Sequence, residues 1–79
     1  MRMVSEQQWI DTFGDNLKDI LNEKYMTQQQ LADRCGLAKS TISSYINKNK
    51  MPSAKAIINM AYVLGVDIDE LVDFGVMIE

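Results

Sequence analysis

Histidine is absent from this 79-residue chain, and cysteine, proline and tryptophan each occur once. One Cys without His cannot assemble a zinc site, and the usual general base of neutral-pH chemistry is missing. One Cys cannot close an internal disulfide either, which points to a reducing compartment, the cytosol. No apolar run approaches the ~20 residues a membrane-spanning helix needs, and no charged-then-apolar leader opens the chain. A single Pro and four Gly in a chain that is 47% hydrophobic argue against disorder. What is left is one small globular domain with a modest core. Cys35 falls on an apolar stripe and reads as a small core residue rather than a nucleophile. No catalytic residue, cofactor, metal, membrane or small-molecule ligand is indicated, so an enzyme is not expected.

Positive charge is also scarce overall, with a formal net charge of −3, but it is not evenly spread. Between residues 24 and 55 six cations (Lys24, Arg34, Lys39, Lys48, Lys50, Lys55) face Asp33 alone, a local balance of +5. Elsewhere Arg2 and Lys18 face ten carboxylates, a balance of −8. Salt screens charges beyond about 8–10 Å, so a basic stripe on an acidic body still attracts phosphate.

The apolar pattern has helical period throughout, and no strand pattern, repeat or low-complexity tract interrupts it. Ser5 with Gln8 makes a capping box for a first helix carrying Trp9, Ile10, Phe13, Leu17, Ile20 and Leu21 inward up to about Lys24. Gly14 inside that run costs roughly 1 kcal/mol relative to Ala, yet a near-continuous helix is expected. Thr27 with Gln30 caps a second helix whose Leu31, Ala32 and Cys35 face inward, and Gly36 ends it at positive φ. Leu37 plugs the turn. A third helix starts near Lys39 with Ile42, Tyr45 and Ile46 inward, leaving Lys39, Ser40, Ser43, Ser44 and Asn47 outward. Ser53, after Pro52, caps a fourth helix with Ile57, Met60, Ala61 and Leu64 inward, closed by Gly65. Asp67 and Glu70 read as a capping box for a short fifth helix burying Ile68, Leu71 and Val72, which Gly75 stops. The expected fold class is all-α, a compact five-helix domain. Two short helices joined by a tight turn over residues 26–48 are the arrangement that enters the DNA major groove.

From about Phe13 to Leu71 the chain resembles the lambda-repressor-like (Cro/XRE-type) family of DNA-binding domains. The resemblance rests on Leu17, the block Met-Thr-Gln-Gln-Gln-Leu-Ala from Met26 and Gly36-Leu37. It continues in Ser40-Thr41-Ile42-Ser43, Pro52-Ser53 and the Ala-x-x-Leu-Gly-Val stretch from Ala61. It implies residues 1–12 as an N-terminal extension or first helical turns, 13–74 as the helix-turn-helix domain and 75–79 as an apolar tail. It further implies a small stand-alone transcriptional repressor or regulator that covers a double-stranded DNA operator.

By that resemblance Thr27 and Gln28, at the start of the second helix, contact the DNA backbone. Ala38, Lys39, Ser40, Thr41, Ser43 and Ser44 supply the base-reading face. Lys39 can donate to guanine O6 and N7, and the serines can bond donors or acceptors. Asn47, Lys48, Asn49 and Lys50 flank the third helix as a phosphate clamp. Ala38 is a poor N-cap where the family often has Ser or Thr. The family often places Gly at the position of Lys48, so Asn47 or Asn49 is expected to take the positive φ of that turn. Leu21 and Ile46 stand where the family commonly pairs Arg with Glu, and are expected to meet in a dry contact. A homodimer is expected, since such proteins usually bind two half-sites one DNA turn apart. The apolar run of Phe74, Val76, Met77 and Ile78 places its interface in the C-terminal region. The alternative is a protein-interaction module, antitoxin-like or an adaptor, that keeps the fold without specific DNA binding.

Overall fold

Capping and periodicity produce the helices almost where the pattern places them. The structure, a computed structural model, describes residues 5–72. The expectations on residues 1–4, on Gly75 and on the apolar tail therefore lie outside the described residues. Five helices follow in order: α1 (Glu6–Glu23), α2 (Gln28–Cys35), α3 (Lys39–Ile46), α4 (Ala54–Leu64) and α5 (Ile68–Val72). The fold is the expected all-α, compact five-helix one. Both N-terminal capping boxes form. The Gln8 amide donates to Ser5 Oγ at 3.2 Å and the Ser5 amide to Gln8 Oε1 at 2.9 Å; Thr27 and Gln30 exchange bonds of 3.1 and 2.9 Å. Ser53 Oγ accepts from the Ala56 amide at 3.1 Å and starts α4. Ala38 gives α3 no side-chain cap.

The helices enclose one core. α1 packs on α3 and α5, α2 on α3 and α4, and α4 on α5. Phe13, Leu17, Leu31, Ile42, Met60, Leu71 and Val72 are wholly buried, and Met26, Cys35, Leu37 and Ile46 pack half-buried around them. Trp9 stacks on Phe13 (ring centroids 6.0 Å apart), and Phe13 meets Tyr45 edge-on at 5.8 Å. Leu21 is buried, and with Ile46 it lines one hollow along the seam of α1 with α3.

α1 runs unbroken through Gly14, and the crossing with α3 explains why a helix-weakening residue sits there. A Cβ on Gly14 would lie 2.7 Å from the Tyr45 carbonyl oxygen and 3.3 Å from that of Ile46. Only glycine lets the two backbones come this close.

The four longer helices end alike. In each, the residue at the end is left-handed and the next amide bonds a carbonyl five residues back: Met26 to Leu21, Leu37 to Ala32, Asn49 to Ser44 and Val66 to Ala61. This is the Schellman closure. Gly36 and Gly65, each at φ 69°, close α2 and α4 as expected. Tyr25 (φ 53°) closes α1 and Lys48 (φ 65°) closes α3. The expectation that Asn47 or Asn49 would take the positive φ is therefore corrected. Asn47 has φ −81°, and Lys48 itself stands in the left-handed region.

α5 departs from expectation in two details. Ile68 is 39% exposed rather than inward, because α5 is a short helix whose Leu71 and Val72 fill the core and turn Ile68 to its rim. At its start the Glu70 amide donates to the Asp67 backbone carbonyl (3.0 Å), not to its carboxylate.

Candidate nucleic-acid interface

Gly36 turns the chain between α2 and α3, and Leu37 packs half-buried beneath the turn. The two helices of the pair are also tied by side chains. Ser43 Oγ donates to Gln28 Oε1 at 2.6 Å, linking the first residue of α2 to the middle of α3. The bond is partly buried, which protects it from competing water. From the far side, Asn59 Nδ2 of α4 donates to the Cys35 carbonyl at 2.9 Å, satisfying one of the carbonyls a helix end leaves open.

Along α3 the expected site residues separate into two groups. Ala38, Lys39 and Ser40 are exposed at its start, with Asn47 and Lys50 exposed beyond its end; Thr27 is exposed before α2. Gln28, Thr41, Ser43, Ser44 and Lys48 are half-buried. The outward placement expected of Ser43 is corrected accordingly, while Ser44 stays at the helix surface. Ser43 turns toward α2, and the Ser44 hydroxyl donates back to the Ser40 carbonyl at 2.9 Å. Both hydroxyls have used their only proton, so each faces outside groups as an acceptor.

Lys48 is placed differently from a free clamp. Its Nζ lies 2.9 Å from Asp15 Oδ1 of α1. The hydrogen bond and then the charge of Asp15 hold the Lys48 ammonium above its ordinary pKa. Burial pushes the Cys35 thiol up as well, away from the reactive thiolate. Among the described residues no group of His, Cys, Asp or Glu could hold a metal ion, and no helix is long and apolar enough to cross a membrane.

The sequence singles out neither Asp15 nor Asn59, nor the part Gly14 plays, and each shapes this surface across the fold. Only Gly14 left a signal, a glycine inside a helical pattern. An apolar patch lies on α4. Ile58 (57% exposed) and Tyr62 (86%) stand out from α4, and Ile58 is shared by two shallow hollows, one reaching Lys55 and Asn59, the other Trp9 and Ile68.

A capped α2, a glycine turn, an inward stripe and a side-chain bond from α3 back to α2 form a helix-turn-helix in the middle of a five-helix core. The helix-turn-helix family model matches residues 17–71. The chain belongs to the Cro/C1/XRE-type helix-turn-helix family. This is a family of DNA-binding transcriptional regulators. A relative in Bacillus subtilis (strain 168), an uncharacterized HTH-type transcriptional regulator, YqaE, is 34% identical over 59 residues. That match covers 75% of this chain and 51% of the relative, so the chain spans about half the relative's length. Among solved structures, the fold is similar to a hypothetical transcription factor, NHTF, from Neisseria, with a TM-score of 0.79 and 26% identity. That alignment covers 91% of this chain and 83% of the other. It is also similar to the restriction-modification controller protein C.AhdI from Aeromonas hydrophila. There the TM-score is 0.75 at 26% identity, covering 78% of this chain and 94% of the controller.

Proposed function

We propose that this domain binds a specific operator in double-stranded DNA, with α3 in the major groove, and regulates transcription, as a repressor, by occupying the site. The observation that carries this reading is the α2–α3 pair held by the Ser43–Gln28 bond, with Ala38, Lys39 and Ser40 exposed at the leading end of α3. Lys39 donates to a guanine edge, Ser40 and Thr41 contact neighbouring bases or sugars, and Ser43 and Ser44 serve as acceptors. Thr27 and Gln28 approach a phosphate at the α2 N-terminus, where helix dipole and amides favour an anion. Asn47, Lys48 and Lys50 lie along the adjoining backbone.

One such domain makes few base contacts, so the working form is a homodimer on two half-sites, joined through the C-terminal region. The exposed Ile58, Tyr62 and Ile68, on α4 and α5, support an apolar contact between copies. The test is selection of bound duplexes from a random pool, followed by titration at several salt concentrations. A two-fold-symmetric site is expected, and Lys39→Ala should cost about 1–3 kcal/mol of discrimination at one base pair of each half-site. Lys50→Ala should weaken all sequences alike and flatten the salt slope by about one unit.

The internally engaged hydroxyls of Ser43 and Ser44 and the exposed Tyr62 favour a second reading, a protein-interaction module. Absence of any duplex binding at low salt would select it.

A further inference from the structure

We propose that Asp15 competes with DNA phosphate for Lys48, so that this carboxylate sets how much of the lysine's charge the domain lends to DNA. The inference rests on the reading of α3 as the DNA-binding helix. Three observations converge on it. Lys48 is the left-handed residue closing α3, its backbone held by bonds from its own amide to the Tyr45 carbonyl and from the Asn49 amide to that of Ser44. The direction in which its side chain leaves is therefore given. That direction leads across α1 where α1 has no side chain, since a Cβ at Gly14 would come within 3.2 Å of Lys48 Cγ. The stem ends at Asp15, 2.9 Å from the ammonium, with Asp11 one turn further back adding negative charge.

The pair is accessible enough to exchange. The Lys48 and Asp15 side chains are 39% and 63% exposed. An ion pair at such a surface holds weakly, so a phosphate oxygen can take the carboxylate's place. While the pair persists, Lys48 is neutralised from within the protein and displaces no counterion from DNA. Exchange leaves Asp15 uncompensated beside a polyanion, which offsets part of what the new contact gains. Asp15 touches no base, so its effect is the same on every sequence.

Affinity and salt slope for a random-sequence duplex, measured on the full chain, test this with wild type, Asp15→Asn, Lys48→Ala and the double variant. Asp19→Asn, one turn along α1, controls for bulk charge. Asp15→Asn should bind about two- to fivefold tighter, the scale of an exposed ion pair, with a slope steeper by up to about 0.9. Asp19→Asn should do less. Lys48→Ala should cost more in the Asp15→Asn background than in wild type. Equal costs in both backgrounds, or equal gains from Asp15→Asn and Asp19→Asn, would overturn the proposal. Elution of the same variants from heparin separates this from failure of the DNA reading. If wild type binds no duplex yet Asp15→Asn still elutes later in a Lys48-dependent way, the DNA reading falls, and with it the phosphate as competitor, while the carboxylate's hold on Lys48 against a polyanion stands. If that Lys48-dependent delay is missing too, both fall.

Discussion

The ends of α2 and α3 are built on one hydrogen-bond plan with different residues. Each closes with an amide bonding five residues back across a left-handed residue, Gly36 in one and Lys48 in the other. At Gly36 a Cβ would meet nothing within 4 Å. The glycine there answers to backbone conformation alone. At Lys48 the same conformation carries a long side chain that reaches α1 and pairs with Asp15. The first end is a local solution that any neighbourhood would accept. The second lays its side chain past Gly14 to Asp15, so the end of α3 reaches α1.

The largest break in this comparison should come at Gly14. Gly14→Ala adds a methyl 2.7 Å from a backbone oxygen, which no rotamer change can relieve. We expect a loss of about 1–3 kcal/mol in urea unfolding, against the ~1 kcal/mol that Ala would otherwise add inside a helix. A net gain would show that the α1–α3 crossing is looser than described.

Gly36→Ala should cost about 1–2 kcal/mol purely through backbone strain, with binding per folded molecule unchanged. Ser43→Ala removes the donor to Gln28 and should cost about 0.5–1.5 kcal/mol. It should also weaken operator binding through a less firmly set α3, an effect visible when affinity is measured far below the melting temperature. Ser44→Ala, which gives up only a bond within its own helix in the free protein, should cost less stability.

The smallest effect sharpens the contrast most. Lys48→Gly relieves the left-handed strain and gives up an exposed ion pair. The melting temperature should rise, by less than Gly36→Ala lowers it. A fall would mean that the Asp15 pair contributes more to stability than its exposure suggests.

Much of the fold is legible in the sequence. The Ser5–Gln8 and Thr27–Gln30 boxes, the Ser53 cap and the left-handed Gly36 and Gly65 all appear where the pattern puts them. The candidate interface was readable as a list of residues. It was not readable as a division between exposed Lys39 and Ser40 and internally engaged Ser43, Ser44 and Lys48. Spacing along α3 could not reveal that Gln28, 15 residues earlier, waits opposite Ser43.

The sequence by itself determined the helices, their order and most of the buried face, because capping and apolar periodicity act within about four residues. The tertiary structure alone decided what Lys48 does, why Gly14 is a glycine, that Ile68 turns outward and that Asn16 reaches the Leu71 carbonyl across 55 residues. Those outcomes depend on which surfaces meet when α1 crosses α3 and α5, and two distant residues have no interaction to declare until the packed core brings them within bonding distance.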